Sequence, residues 1–496
     1  MKKFLLSIFS ICLCAVCAFG LVACGQKPAS ATSTDTTKVV ANGGISTIYN
    51  GELYFTNGTA ENNGTHNGGT LGSVYKVAIS EDGTIASDAK YTKVVDALVG
   101  QKNGSIFIFG DYLYYTAPST GKNKNGEVQY NRTKFLRKDL VNGGTQELYA
   151  TALSDSSETI SYAYYKFGTD NSRLALVVYE KTSATLKSFE ITTGASLLFS
   201  KSNVTSAVMS EKYGVSETDS AERYIFYTMA AEENALDTNT NRVFRIDAEG
   251  LRNDVISDSA SLSLLAIRGQ KLLLTATFDS ATYVYAYPVT ATTTKADIQV
   301  ADANNSKNPN PLAYKYLISY KTYEDVIFVE DGDNISLLFL DGTNIRYITY
   351  ANGTLQKDIV IYSFASTPTA EFVGLYTEDG VDGNTYLTYL QTESSKNYLY
   401  RLRVNFADQA EVDAERPEPT KLSTTSFELA SNLLAPELVG DYVYAFAKDD
   451  DSNTLMYRAN IYTPKELNDK KPAEEQETDE SKLKITTAEL VGGTKI

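Results

Sequence analysis

Few residues in this 496-residue chain have side chains suited to catalysis or metal binding. The single histidine, His66, lies in ENNGTHNGG, a run of turn-forming residues. One imidazole cannot build a multi-histidine metal centre. A Ser-His-Asp triad needs an ordered base and an orienting partner, which a loop tip does not offer. Three acidic clusters remain: Glu330-Asp331-Gly332-Asp333, Glu378-Asp379-Gly380 with Asp382, and Asp449-Asp450-Asp451. Calcium takes several oxygen ligands from a short loop, and Asp449, Asp450 and Asp451 are the first to test for it. None of the clusters has EF-hand spacing, and Asp and Gly are also the ordinary residues of hairpin turns. The sequence has no Walker-type loop, no dinucleotide fingerprint ahead of a helix and no Cys/His ligand spacing. No catalytic residue, cofactor-binding residue, metal ligand or cofactor is assigned.

Tyr-Lys and Tyr-Arg pairs recur, as at Tyr75-Lys76, Tyr400-Arg401 and Tyr457-Arg458. They suit a surface that stacks sugars or binds acidic wall polymer. They equally suit a structural role, with Tyr packed between sheets and the basic residue on the opposite face beside a carboxylate. Neighbours on a strand point in opposite directions, which favours the structural role.

The chain carries 45 basic and 61 acidic residues, a net charge of −16 that disfavours nucleic acid as a partner. At its start, Lys2 and Lys3 precede an apolar run over 4–23, followed by Cys24, Gly25 and a Ser/Thr stretch. This is the layout of a secretory signal. Leu21-Val22-Ala23-Cys24 resembles the lipobox of bacterial lipoproteins, and the resemblance implies cleavage after residue 23 and acylation of the Cys24 thiol. The competing expectation is an uncleaved transmembrane anchor, since about 20 apolar residues can span a bilayer. Either way the body faces outward, and two acyl chains would hold it firmly where one would not.

Cys12, Cys14 and Cys17 would leave with the signal peptide, so no disulfide is expected in the mature chain. Loss of Lys2 and Lys3 leaves 43 basic against 61 acidic residues, a charge of −18 that anionic headgroups repel. Residues 24–40 are small and polar and read as a flexible spacer.

From 41 to 492 one pattern repeats. A Gly, Asn or Asp turn leads into a Tyr-rich or Leu-rich strand, and a second strand follows after a polar loop. Eight such first strands begin at Glu52, Asp111, Arg173, Arg223, Lys271, Asn334, Asn384 and Asp441. Their partners begin at Ser73, Lys134, Thr185, Asn241, Thr282, Asn344, Asn397 and Thr454. Tyr54 to Val443 spans 389 residues in seven steps, or about 56 per step, with room for a further strand on either side of each hairpin.

Successive apolar positions require both faces of each sheet to be covered. Nine Asn-Gly pairs supply the positive φ angles of tight turns. The expected fold is all-β: a single β-propeller of eight four-stranded blades, with seven as the alternative. Tyr rings are expected between blades with their hydroxyls at the rim. The stretches 216–221 and 306–320 read as insertions, and 464–481 as a charged loop. The segment LKITTAELVG from Leu483 reads as the outer strand of the last blade, so that the ring closes by blade packing alone.

Gly110-Asp111-Tyr112-Leu113-Tyr114-Tyr115 and Gly440-Asp441-Tyr442-Val443-Tyr444, the latter followed by Leu455-Met456-Tyr457-Arg458, resemble the repeats of lipoprotein propellers from Gram-positive bacteria. These are loosely similar to TolB-like and YWTD-type propellers. Lys271 to Thr277 departs from the pattern, with Leu in place of Tyr. The resemblance implies a propeller held by lipid on Cys24 to the outer face of the cell membrane, and the function expected of it is that of a monomeric, non-enzymatic binding or scaffold module for a cell-envelope protein or glycan. The alternative is a carbohydrate-active hydrolase or lyase using Asp, Glu and Tyr on one face of the ring. Sialidase-type and quinone-dependent propellers rely on repeated Trp, which this chain lacks.

Overall fold

The computed structural model describes residues 44–492 apart from 60–64, 67–68, 97–104, 123–124, 126–127, 152–159, 169–172, 210–222, 230–240, 259–260, 269–270, 279–280, 290–316, 320–323, 332–333, 352–353, 379–382, 430–432 and 434. Eight four-stranded antiparallel sheets follow one another along the chain, each with its strands in sequence order. They are the blades of one propeller. Their first strands are Ser46–Tyr49, Ile106–Phe109, Ile160–Phe167, Val204–Val208, Ser261–Arg268, Glu324–Asp331, Ala370–Thr377 and Glu437–Val439. The first strands of blades 1 and 2, 4 and 5, 6 and 7, 7 and 8, and 8 and 1 lie against one another. All eight hairpins expected from the sequence form the second and third strands of these blades.

Blade 3 shows why unbroken apolar runs fold this way. In Arg173–Glu180 every residue after Arg173 is buried. Leu174, Leu176 and Val178 join a core with Phe107, Tyr114 and Phe135 of blade 2. Ala175, Val177 and Tyr179 turn the other way, into a core with Ile225, Tyr227 and Phe244 of blade 4. A strand with alternating sides and no solvent on either needs apolar residues throughout, each large one contributing about 1.5–3 kcal/mol.

Aromatic rings fill the seams between blades. Phe107 of blade 2 meets Tyr164 of blade 3 at 4.1 Å, and Tyr149 stacks on Phe189 at 4.4 Å. Some hydroxyls reach a neighbouring backbone, as Tyr49 Oη does by donating to Gly110 O at 2.7 Å. The fully buried Tyr389 differs from the expected rim placement, because its hydroxyl has no hydrogen-bond partner among the described residues.

The last blade is built from its own chain segment. Its outer strand is Glu489–Leu490, paired with Thr454–Asn460, and among the described residues no strand from the N-terminal end joins it. Leu483 to Ala488 contribute no strand, and the expected outer strand shortens to two residues.

Two expected loops gain structure. Within 306–320, Leu317–Ser319 is the outer strand of blade 5, while 306–316 and 320 lie outside the described residues, as does 216–221. The charged segment 464–481 is exposed along most of its length but opens with a helix, Pro464–Asp469. Thr463 caps that helix, Glu466 completes the capping box and Pro464 takes the first turn, where its missing N–H costs nothing. We call it α2, and α1 is Gln409–Glu415, which leaves blade 7 and packs on the outer strand of blade 6. No helix among the described residues is long and apolar enough to cross a membrane.

Candidate functional site

Of the residues that the sequence offered for chemistry, Cys24 lies outside the described residues, together with the signal and spacer segments 1–23 and 24–40. His66 is in a two-residue strand, Thr65–His66, paired with Gly69–Thr70. Glu330 and Asp331 end the first strand of blade 6, and the neighbouring 332–333 lie outside the described residues, as do 379–382. Glu378 closes a loop by donating its N–H to Asn384 O at 2.9 Å and accepting from Asn384 Nδ2 at 3.2 Å.

The Asp449 cluster is a turn. Asp449 Oδ1 accepts from the N–H groups of Asp451 and Asn453 at 3.0 and 2.8 Å, and Oδ2 accepts from Asn453 Nδ2 at 2.9 Å. Asp247 does the same, taking the N–H groups of Glu249, Gly250 and Leu251 on one oxygen. At Asp82 the Ser80 hydroxyl, and then the Thr84 N–H, hold the carboxyl below its usual range. Among the described residues no group of three His, Cys, Asp or Glu side chains is placed to hold a metal ion. In a thermal melt the Asp449 turn, whose carboxylate already accepts from its own loop, is expected to respond no differently when calcium is added. Asp449→Ala should cost about 1 kcal/mol through the lost turn bonds, with or without calcium.

The Tyr-Arg pairs serve two seams at once. Tyr400 packs with the core between blades 6 and 7, while Arg401 points toward blade 8. Arg401 Nη1 donates to Ile461 O at 3.1 Å and to Tyr376 Oη at 2.7 Å, and Nη2 pairs with Glu466 of α2. Tyr457 packs toward blade 7, while Arg458 reaches blade 1. Arg137 of blade 2 repeats the device on blade 3, donating to Ile191 O at 2.7 Å and Thr192 O at 2.9 Å. In blade 3 a serine replaces it: Ser188 Oγ donates to Ala248 O of blade 4 at 2.8 Å. For Arg137, Ser188 and Arg401 the acceptor lies just beyond the third strand of the next blade, where its carbonyl has no ladder partner, and for Arg458 it lies in the turn that follows that strand.

One acidic residue that sequence reasoning passed over stands at the centre. Glu437 opens the first strand of blade 8, and its carboxylate crosses to blade 1. Oε1 accepts from Ser46 N at 2.6 Å and Ser46 Oγ at 2.5 Å, and Oε2 from Ile45 N at 3.1 Å. Glu437 is half-buried, and desolvation there pushes its carboxyl up to about 7, against the opposing pull of the Ser46 hydroxyl and the two N–H groups. A carboxyl poised near neutral pH beside a serine hydroxyl has the outline of a base and its nucleophile. Here Ser46 is wholly buried and both carboxylate oxygens are engaged with blade 1, so the pair works as a latch.

Three more ties cross the same seam. Thr59 N donates to Thr454 O at 3.0 Å. That approach requires Gly58, at φ +65°, because a Cβ there would lie 2.2 Å from Thr454 O. Arg458 Nη1 donates to Gly83 O at 2.6 Å while its Nε pairs with Glu489 at 2.7 Å. Leu53, Phe55 and Tyr75 of blade 1 pack with Tyr444, Phe446 and Met456 of blade 8.

Together these features define an eight-bladed β-propeller whose last and first blades are joined by side chains and loops. No protein-family model matches the chain, and no curated protein does. Solved structures share the fold. The β-propeller domain of the trilobed protease from Pyrococcus furiosus is 9% identical, with 73% of this chain and 95% of that chain covered and a TM-score of 0.35. An oligogalacturonate lyase solved with manganese is 11% identical over 88% of this chain and 95% of that one, at a TM-score of 0.33. A prolyl endopeptidase is 9% identical over 84% of this chain, at a TM-score of 0.38, and the chain spans only 54% of its length. The likeness in each case is one of fold.

Proposed function

We propose that the chain is a non-enzymatic β-propeller, tethered by lipid on Cys24 to the outer face of the cell membrane, that binds a protein or glycan of the cell envelope. The observation that supports this most is the use made of its polar side chains. Glu437, Arg137, Arg401 and Arg458, the groups with most capacity for chemistry, are committed to holding blades together. A ring so fixed is a rigid frame for loops, and binding residues are found disproportionately on loops carried by rigid scaffolds.

The test is to incubate the purified protein with cell-wall glycans and to measure both retention and products. Retention without new products is expected, and turnover would overturn the reading. The anchor has its own test. Cys24→Ala should abolish fatty-acid labelling in cells and release or misprocess the protein. Labelling that persists would defeat the assignment.

A further inference from the structure

Beside the seam between blades 6 and 7, α1 and the outer strand of blade 6, Thr354–Ser363, flank an open groove of about 470 Å³. That volume falls within the ~300–1,000 Å³ of ordinary ligand pockets. Ile361 and Val412, both buried, contribute to its lining. Tyr362, Asp413, Arg416 and Glu418 supply its polar character.

The walls are fixed before any ligand arrives. Gln409 of α1 pairs with the backbone of Val360 like an adjoining strand, accepting from its N–H at 2.9 Å and donating to its carbonyl at 3.2 Å. Tyr362 meets Phe364 edge-on at 5.0 Å, and Phe364 in turn meets Tyr389 at 6.5 Å. A locked aromatic wall loses little entropy on binding.

Arg416 is the unusual member. It follows α1 at φ 50°, ψ 64°, donating its N–H to Val412 O at 2.8 Å. Helices that end this way generally place Gly at that position, because a side chain there is strained. The arginine kept here is exposed, and its guanidinium has no partner among the described residues. Glu418 lies close enough to Tyr362 that its charge, after burial, helps to push the phenol up.

The chemistry offered is an aromatic ring, the Glu418 carboxylate and the remaining oxygen of Asp413, whose Oδ1 already accepts from Gln409 Nε2 at 2.9 Å, as acceptors, and one guanidinium as donor. Sugar rings present C–H faces to an aromatic ring and hydroxyls that both donate and accept. An anionic ligand would meet two carboxylates for one guanidinium, on a chain of net charge −16. We propose that this groove binds a neutral saccharide, with Tyr362 beneath a sugar ring and Asp413, Arg416 and Glu418 on its hydroxyls. The inference rests on the reading of the protein as a binding module and narrows its ligand to a glycan.

The experiment is calorimetric titration of the purified full chain with maltotriose, cellotriose and chitotriose, and with glucuronic acid as the anionic control. At least one neutral trisaccharide should bind, and glucuronic acid should not. Tyr362→Ala should weaken binding about tenfold. Arg416→Gly should weaken it similarly while holding or raising the unfolding midpoint, since glycine relieves the strained φ. That combination separates loss of a contact from loss of fold. Binding unchanged in both variants would overturn the groove assignment, and so would failure of every neutral trisaccharide to bind. Failure of the wider reading would look different: glycan breakdown products that Tyr362→Ala and Arg416→Gly leave unaltered.

Discussion

Glu437→Ala is expected to destabilise the protein by about 2–4 kcal/mol in chemical denaturation. The substitution strands three donors at once: Ile45 N–H, Ser46 N–H and Ser46 O–H. Each unpaired buried group costs about 1–3 kcal/mol, and solvent entering the seam recovers part of the total.

The latch should also make stability depend on pH. The folded-state carboxyl stands at about 7 against an ordinary 4.5. Between those values the folded state keeps a proton that the unfolded state has released, so raising the pH favours unfolding. The contribution is complete below pH 4.5 and disappears as pH rises through 7. The unfolding midpoint of the native protein should therefore fall between about pH 4.5 and 7 and level off above that. Glu437→Gln, which has no proton to lose, should show a flatter profile across that window. Identical slopes for the two proteins would refute the role assigned to this carboxyl.

The second large effect is expected at Arg458, which is 1% exposed, and the contrast is with Arg346. Arg458 lies 4.2 Å over the Tyr442 ring and binds both Glu489 and Gly83 O. Arg458→Ala removes that packing and leaves the Gly83 carbonyl without its donor, a loss of about 2–4 kcal/mol. Arg346 also binds two partners, Asp341 at 3.0 Å and Asp358 at 2.5 Å. Those pairs are partly solvated, however, and Arg346→Ala should cost no more than about 1 kcal/mol. Urea titration of both variants reads the difference directly. Equal losses would mean that the seam arginine contributes no more than a surface ion pair.

Much of the ring is legible in the sequence because its signals are local. Runs such as Leu174 to Tyr179 declare a strand covered on both faces, and turns such as Asn50-Gly51, with both residues at positive φ, declare the hairpin. The outermost strands are harder to read. Leu317–Ser319 and Glu489–Leu490 are too short to carry a period, and the first of them hides inside a stretch that reads as an insertion. Helix α2 announces itself through Thr463, Pro464 and Glu466, but the surrounding charge density masks that signal.

The site is less legible than the fold, for a physical reason. Glu437 and Ser46 are 391 residues apart, and nothing near Glu437 in the chain indicates that it faces a backbone from the other end. The Tyr-Arg pairs mark the position of each clip, whereas its acceptor carbonyl comes from the next blade. The groove beside α1 likewise exists only when 409–418 docks on 360–363.

Closure of the ring by side chains rather than by an exchanged strand is tested most directly by amide hydrogen exchange over residues 44–49 at pH 6. In the native protein Ile45 and Ser46 should be strongly protected. In Glu437→Ala that protection should be lost while Leu174 to Tyr179, deep in blade 3, stays protected. Ready exchange at Ile45 and Ser46 in the native protein, or protection that survives the substitution, would contradict the latch.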